Sequence, residues 1–160
     1  FTETVICGTP AGVGEPWFDS VESVISHAAF SLGGVKGVEF GAGFAVADMK
    51  GSECNDPLRV SGGRIVTTTN NNGGINGGIT NGMPIVFRCA VKPTPSIAQQ
   101  QDTVDFIKNE NTQLSIHGRH DPAIIRRICP VLDSVAALCV ADMLSLRYGT
   151  DVLTKGVDDK

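Results

Sequence analysis

Apolar residues return at helical spacing between residues 21 and 32. Val21, Val24, Ile25, Ala28, Ala29 and Leu32 follow the i, i+3, i+4 rhythm and make one face, with His27 off it. Pro16 suits a first helical turn, Asp19 sits where negative charge is favoured, and Gly33-Gly34 ends the run. A period of two marks residues 84–92. Ile85, Phe87, Cys89 and Val91 alternate with Val86, Arg88 and Ala90, predicting a half-buried strand with Arg88 on its other face. Residues 4–7, 35–49 (bent at a glycine) and 64–68 read as strands, and 102–107 with 112–116 as a pair around the turn NEN. Residues 50–62 read as polar loop. Pro122 opens a last helical stretch that Pro130 must kink or restart, with an apolar stripe of Val131, Val135, Leu138, Cys139, Met143 and Leu146. Helices and strands come in groups rather than strictly alternating. That pattern predicts an α+β layered sandwich over residues 1–148, with a loose tail at 149–160.

Composition narrows the function classes. A chain of 160 residues, 41% apolar and 19% charged, has the length and content of one globular domain. No apolar run approaches eighteen residues, so no membrane span is expected. No basic-then-apolar leader opens the chain, so no signal peptide is expected; FTETVIC reads as a strand already under way, as if the chain began inside a longer protein. The net charge of −4 gives no generally basic surface, so nucleic acid is not an expected partner. Five scattered cysteines without C-x-x-C fit free thiols in a reducing compartment, with Cys129 and Cys139 as small core residues.

Three stretches carry candidate chemistry. TNNNGGINGGITNG, 69–82, is rich in the two residues that tolerate positive φ. It is either an anion nest of oriented N–H groups or a flexible surface loop. KPTPSI, 92–97, is either a phosphate site made by Lys92, Thr94 and Ser96 on a backbone stiffened by Pro93 and Pro95, or an extended linker. HGRHDPAIIRR, 117–127, offers the planar fork of Arg119 to a phosphate or carboxylate. Its Asp121, before a proline, is a helix N-cap or a proton-relay carboxylate. His117, His120 and Asp121 match no metal-ligand spacing, so no metal is expected. No G-x-S-x-G or catalytic cysteine signature is present.

Taken together these segments resemble the chorismate synthase family. The carrying text is GVGEPWFD (12–19), GGVKGVEFGAGF (33–44), NNGGINGGITNG (71–82), AVKPTPSI (90–97) and GRHDPAIIRRICPV (118–131), in the family order. The resemblance implies a β-α-β sandwich, a homotetramer, and a lyase of the shikimate pathway for aromatic amino-acid biosynthesis. That lyase converts 5-enolpyruvylshikimate 3-phosphate, a small anionic substrate, to chorismate by 1,4-anti elimination of phosphate. It implies reduced FMN as cofactor, with NADPH only in a bifunctional type, and a cytoplasmic location, or a plastid in a plant. It places Gly33, Gly34, Gly77, Lys92, Pro93, Thr94, Pro95, Ser96 and Arg119 at the flavin, and gives Asp121 and Arg119 the catalytic roles. Stretches around Lys92, Gly77 and Arg119 are expected to converge on one phosphoryl group and its attached ring system. Gly33-Gly34 stands where many relatives have Asn-Ala, and Ala123 where Cys is frequent. The family's G-E-S-H-G and R-A-S-A-R-E-T segments have no counterpart in the 160 residues. The chain is therefore expected to be the C-terminal portion, inactive alone. The alternative is a non-catalytic module for FMN, anion binding or subunit assembly.

Overall fold

A computed structural model describes residues 1–119 and 123–156. The chain runs β1 (Thr2–Ile6), α1 (Val21–Phe30), β2 (Val35–Phe40), α2 (Gly51–Cys54), β3 (Leu58–Ser61), β4 (Arg64–Thr67), β5 (Ile75–Asn76) and β6 (Ile79–Thr80). It continues through β7 (Ile85–Val91), β8 (Gln101–Asp105), β9 (Glu110–Leu114), α3 (Ile125–Tyr148) and α4 (Val152–Lys155). β7 is the middle of an antiparallel sheet ordered β1-β7-β2. The period of two in its sequence has the expected result: Ile85, Phe87 and Cys89 are buried, and Arg88 faces the other way. There Arg88 pairs with Glu39, its register partner on β2, at 3.0 Å.

Two helices cover the buried face. α1 turns Val21, Ile25 and Ala29 onto the sheet, and α3 turns in Ile128, Leu132, Ala136, Cys139, Val140 and Met143. Thr4 on β1 donates a hydrogen bond to Asp133 on α3 at 3.2 Å. Phe87, Ile25, Ile85 and Leu132 are almost wholly removed from water. Each such side chain contributes about 1.5–3 kcal/mol of transfer free energy. α1 begins at Val21 rather than near Pro16, because Ser20 is its N-cap and accepts from Ser23 N–H at 3.1 Å. Residues 17–19 form a separate 3-10 turn.

The elements differ from the sequence pattern in several places. The buried stripe of α3 is turned from the expected one: Val131, Leu138 and Leu146 are exposed. α3 continues through Pro130, and Cys129 is exposed. With 24 residues and a mean hydropathy of 1.7 over its most apolar window, α3 is long and apolar enough to cross a membrane. One face of it packs on α1 and β1. The strand expected over 35–49 stops at Phe40. Gly41, at φ 54°, presses on the backbone of Asn71 and Gly73, where a Cβ would collide, and a 3-10 turn follows at Gly43–Asp48. Residues 50–62 contain α2 and β3, and residues 69–82 contain the β5–β6 hairpin. The later hairpin turns at residues 106–109 rather than at NEN, where Asp105 accepts from the N–H groups of Ile107 and Lys108. The tail carries α4.

Candidate functional site

Beyond the last turn of α1 the chain makes an open hollow of about 360 Å³, lined by Gly33, Gly34, Lys36, Lys92–Pro95 and Ile124. The two sequence segments are tied there by backbone: Lys92 N–H donates to Gly34 O at 2.7 Å. Gly34, at φ 95°, lets the chain turn sharply from α1 into β2. Lys36 enters through a bulge. Pairing of β2 with β7 slips between Val35 and Gly37, leaving Lys36 as the extra residue. Bulges re-aim a side chain in this way. Thr94 completes the set. Its hydroxyl oxygen is buried and, among the described residues, has no hydrogen-bond partner. An unsatisfied buried hydroxyl costs about 1–3 kcal/mol, and because this one is shielded from water a ligand oxygen reaches it only with a local rearrangement.

This hollow suits an anion. A helix C-terminus carries roughly half a negative charge, which opposes one. The two lysines that line the hollow oppose that charge, and carbonyls at that end of α1 are already hydrogen-bonded. Ser31 Oγ donates to Ala28 O at 2.6 Å, and the N–H groups of Ser31 and Leu32 also turn back onto the helix end. The phosphate of FMN fits this donor set of two ammonium groups and one hydroxyl. Among the described residues no group of three metal-ligating side chains gathers.

The remaining expected residues lie elsewhere. Ser96 follows the segment but does not line the hollow, and Arg119 is exposed outside it. Asp121 lies outside the described residues. Gly77 is in the β5–β6 turn at the opposite end of α1, since Gly78 O accepts from Val21 N–H at 3.0 Å. Ten helical residues separate the two ends by about 15 Å. The hollow at that far end presents Glu15, Asp19 and Asp142 against Arg147, a set that repels phosphate. The expected convergence of the Lys92, Gly77 and Arg119 stretches is thus not found within this chain, because the hollow joins the Lys92 segment to the diglycine and takes in neither Gly77 nor Arg119.

The glycine-asparagine loop is neither a flexible loop nor an open nest. Its oriented N–H groups point at the chain's own Asp56. Asn71 N–H and Asn72 N–H donate to the Asp56 carboxylate at 2.7 and 2.9 Å, and Thr69 Oγ1 donates at 2.7 Å. Burial pushes the Asp56 pKa up, but the bonds from Asn72, Thr69 and Asn71 together hold it below the ordinary aspartate value. Burial pushes the Cys89 thiol up, and burial with the nearby Asp142 carboxylate does the same for Cys139, so both stay as neutral thiols. Sequence reading missed Lys36 and Asp56. A lone lysine after a helix stop reads as a solvated charge. Asp56 binds residues 13 to 16 positions away, a range no local pattern reports.

Residues 1–145 match the family model described as chorismate synthase. The chain belongs to the chorismate synthase family. It is 52% identical over 147 residues to the chorismate synthase of Methanosarcina barkeri, covering 92% of this chain and 40% of that protein. It is 52% identical over 153 residues to that of Chitinophaga pinensis, covering 96% and 46% respectively. A crystal structure of a chorismate synthase superposes with a TM-score of 0.74 at 31% identity, covering 93% of this chain and 38% of that one. The chain therefore spans less than half the length of these family members. Its mixed helix-and-sheet architecture is the corresponding part of the chorismate synthase fold.

Proposed function

We propose that the chain supplies the cofactor-phosphate end of a chorismate synthase, a lyase that eliminates phosphate from 5-enolpyruvylshikimate 3-phosphate with reduced FMN. The observation that carries this reading is the hollow where Lys36, Lys92 and the unpartnered Thr94 hydroxyl meet. Lys92 and Lys36 place positive charge around the flavin phosphate, Thr94 donates to one of its oxygens, and Pro93 and Pro95 hold the segment in shape. Gly33 and Gly34 keep the approach free of side chains. Bound reduced FMN supplies an electron-rich ring to a reaction with no net redox change. In the elimination the C–O bond to phosphate and a C–H bond in 1,4 relation break, the one double bond between those carbons shifts and becomes a conjugated pair, and phosphate and a proton leave. By the family resemblance Arg119 would stabilise negative charge on the bound flavin and Asp121 would carry a proton in the elimination. The active protein is a cytoplasmic or plastid homotetramer, and NADPH is needed only if it reduces its own flavin.

The whole protein is the catalyst in this reading, and the 160 residues alone are inactive. The test is chorismate formation by the full-length protein with reduced FMN, beside the isolated chain. Turnover by the full-length protein only is expected, and an inactive full-length protein overturns the reading. A second reading is a non-catalytic assembly module, and one observation fits it as well as it fits a homotetramer. The β3–β4 and β8–β9 hairpins expose Leu58, Val60, Ile65, Phe106 and Ile107, as surfaces that meet another chain do. A natural start immediately upstream of Phe1, with neither missing segment encoded, would favour it.

A further inference from the structure

We propose that Asp56 is a positioning residue: its carboxylate is the anion around which the glycine-asparagine loop is built, and it sets where the loop's Gly77-Gly78 tip stands. Both carboxylate oxygens are used. Oδ1 accepts from Asn71 N–H and Thr69 Oγ1, each at 2.7 Å, and Oδ2 accepts from Asn72 N–H at 2.9 Å. Two successive N–H groups aimed at one anion form a nest, and here the occupant is covalently part of the chain.

Order spreads from that contact to the tip. Asn71 Nδ2 donates to the carbonyls of Glu53 and Cys54 at 3.2 and 3.1 Å, tying the loop's stem to α2. Asn70 accepts from Gly74 N–H at 2.7 Å and donates to Pro84 O at 2.8 Å. Asn81 N–H donates to Gly74 O at 2.9 Å, closing the β5–β6 hairpin. The tip then meets α1 through the bond from Val21 N–H to Gly78 O at 3.0 Å. A Cβ on Gly78 would strike Ser20, so the tip has little room to settle elsewhere. Without the Asp56 charge, two adjacent N–H groups lose their acceptor and the stem loses its anchor.

The functional half of the inference rests on the proposed function and on the family resemblance that puts Gly77 at the flavin, with Gly77 standing at the opposite end of α1 from the phosphate hollow of the same chain. The test uses the full-length protein with Asp56→Gly, and with the isosteric Asp56→Asn in parallel in case the glycine variant fails to fold. Amide hydrogen exchange at Asn71 and Asn72 and the FMN dissociation constant are both measured, with and without added formate. Exchange is expected to accelerate in both variants, and FMN to bind about tenfold more weakly, equivalent to ~1.4 kcal/mol. Formate refills the nest of the glycine variant and restores both quantities, while the asparagine variant, whose amide fills the space, does not respond. Unchanged exchange overturns the proposal, as does accelerated exchange that formate leaves unaltered. Accelerated exchange with unchanged FMN affinity overturns the positioning role. A wild-type protein that fails to bind FMN refutes the cofactor reading instead, and formate-reversible exchange still decides what Asp56 does for the loop.

Discussion

Replacing Lys92 by alanine removes one of the two ammonium groups lining the hollow beyond α1. The size of the effect follows from how open the site is. Lys36 and Lys92 are both exposed, so water screens them strongly. Unit charges 4 Å apart attract by about 1 kcal/mol at the dielectric of water and about 4 kcal/mol at an effective value near 20. A charge-assisted hydrogen bond contributes about 1.5–3 kcal/mol, inside that bracket. The expected loss of FMN affinity is therefore roughly 10- to 150-fold. Lys36→Ala should act in the same direction and less strongly, because Lys92 is also fixed through its own backbone bond to Gly34. The assay is titration of the full-length protein with FMN, followed by flavin fluorescence at two ionic strengths. Both variants should depend less on salt than the parent. An unaltered dissociation constant for Lys92→Ala would refute the assignment of the flavin phosphate to this hollow.

Leu132→Ala should lower stability by about 2–5 kcal/mol, read as a shifted denaturant midpoint, because Leu132 is 1% exposed between α3 and the sheet. The depressed pKa of Asp56 makes its carboxylate stabilising at neutral pH, an advantage that persists above the ordinary aspartate value and disappears as pH falls through the lower folded-state value. Acid titration of Asp56→Asn should therefore show a shallower loss of stability below about pH 4 than the parent; equal slopes would remove Asp56 from the acid transition. Asp121→Asn in the full-length protein should slow elimination while leaving flavin bound, and unchanged turnover would take Asp121 out of the mechanism.

What was legible in the sequence follows from how much one face differs from the other. β7 buries one side and shows the other, so its alternation is a direct record of the fold. α3 is apolar on more than one side, and Val131, Leu138 and Leu146 compete with Leu132, Cys139 and Met143 for the same reading. Periodicity alone does not choose between two adjacent stripes. Lys92 was legible as a candidate because the flanking prolines announce a constrained backbone, whereas the diglycine read locally as a helix stop and joined the candidate site only through the family resemblance. Lys36 was not, because its direction depends on a bulge set by pairing with β7. The loop's composition reported its positive φ angles and its oriented N–H groups. It did not report that Asp56, folded back from α2's far end, already occupies them.

In the proposed function the flavin phosphate rests between Lys36, Lys92 and Thr94 at the C-terminal end of α1. An experimental structure of the full-length protein with FMN tests it most directly. A phosphate oxygen is expected within hydrogen-bonding distance of both Lys92 Nζ and Thr94 Oγ1. A phosphate bound instead at the opposite end of α1, beside the Gly77 turn, would contradict it.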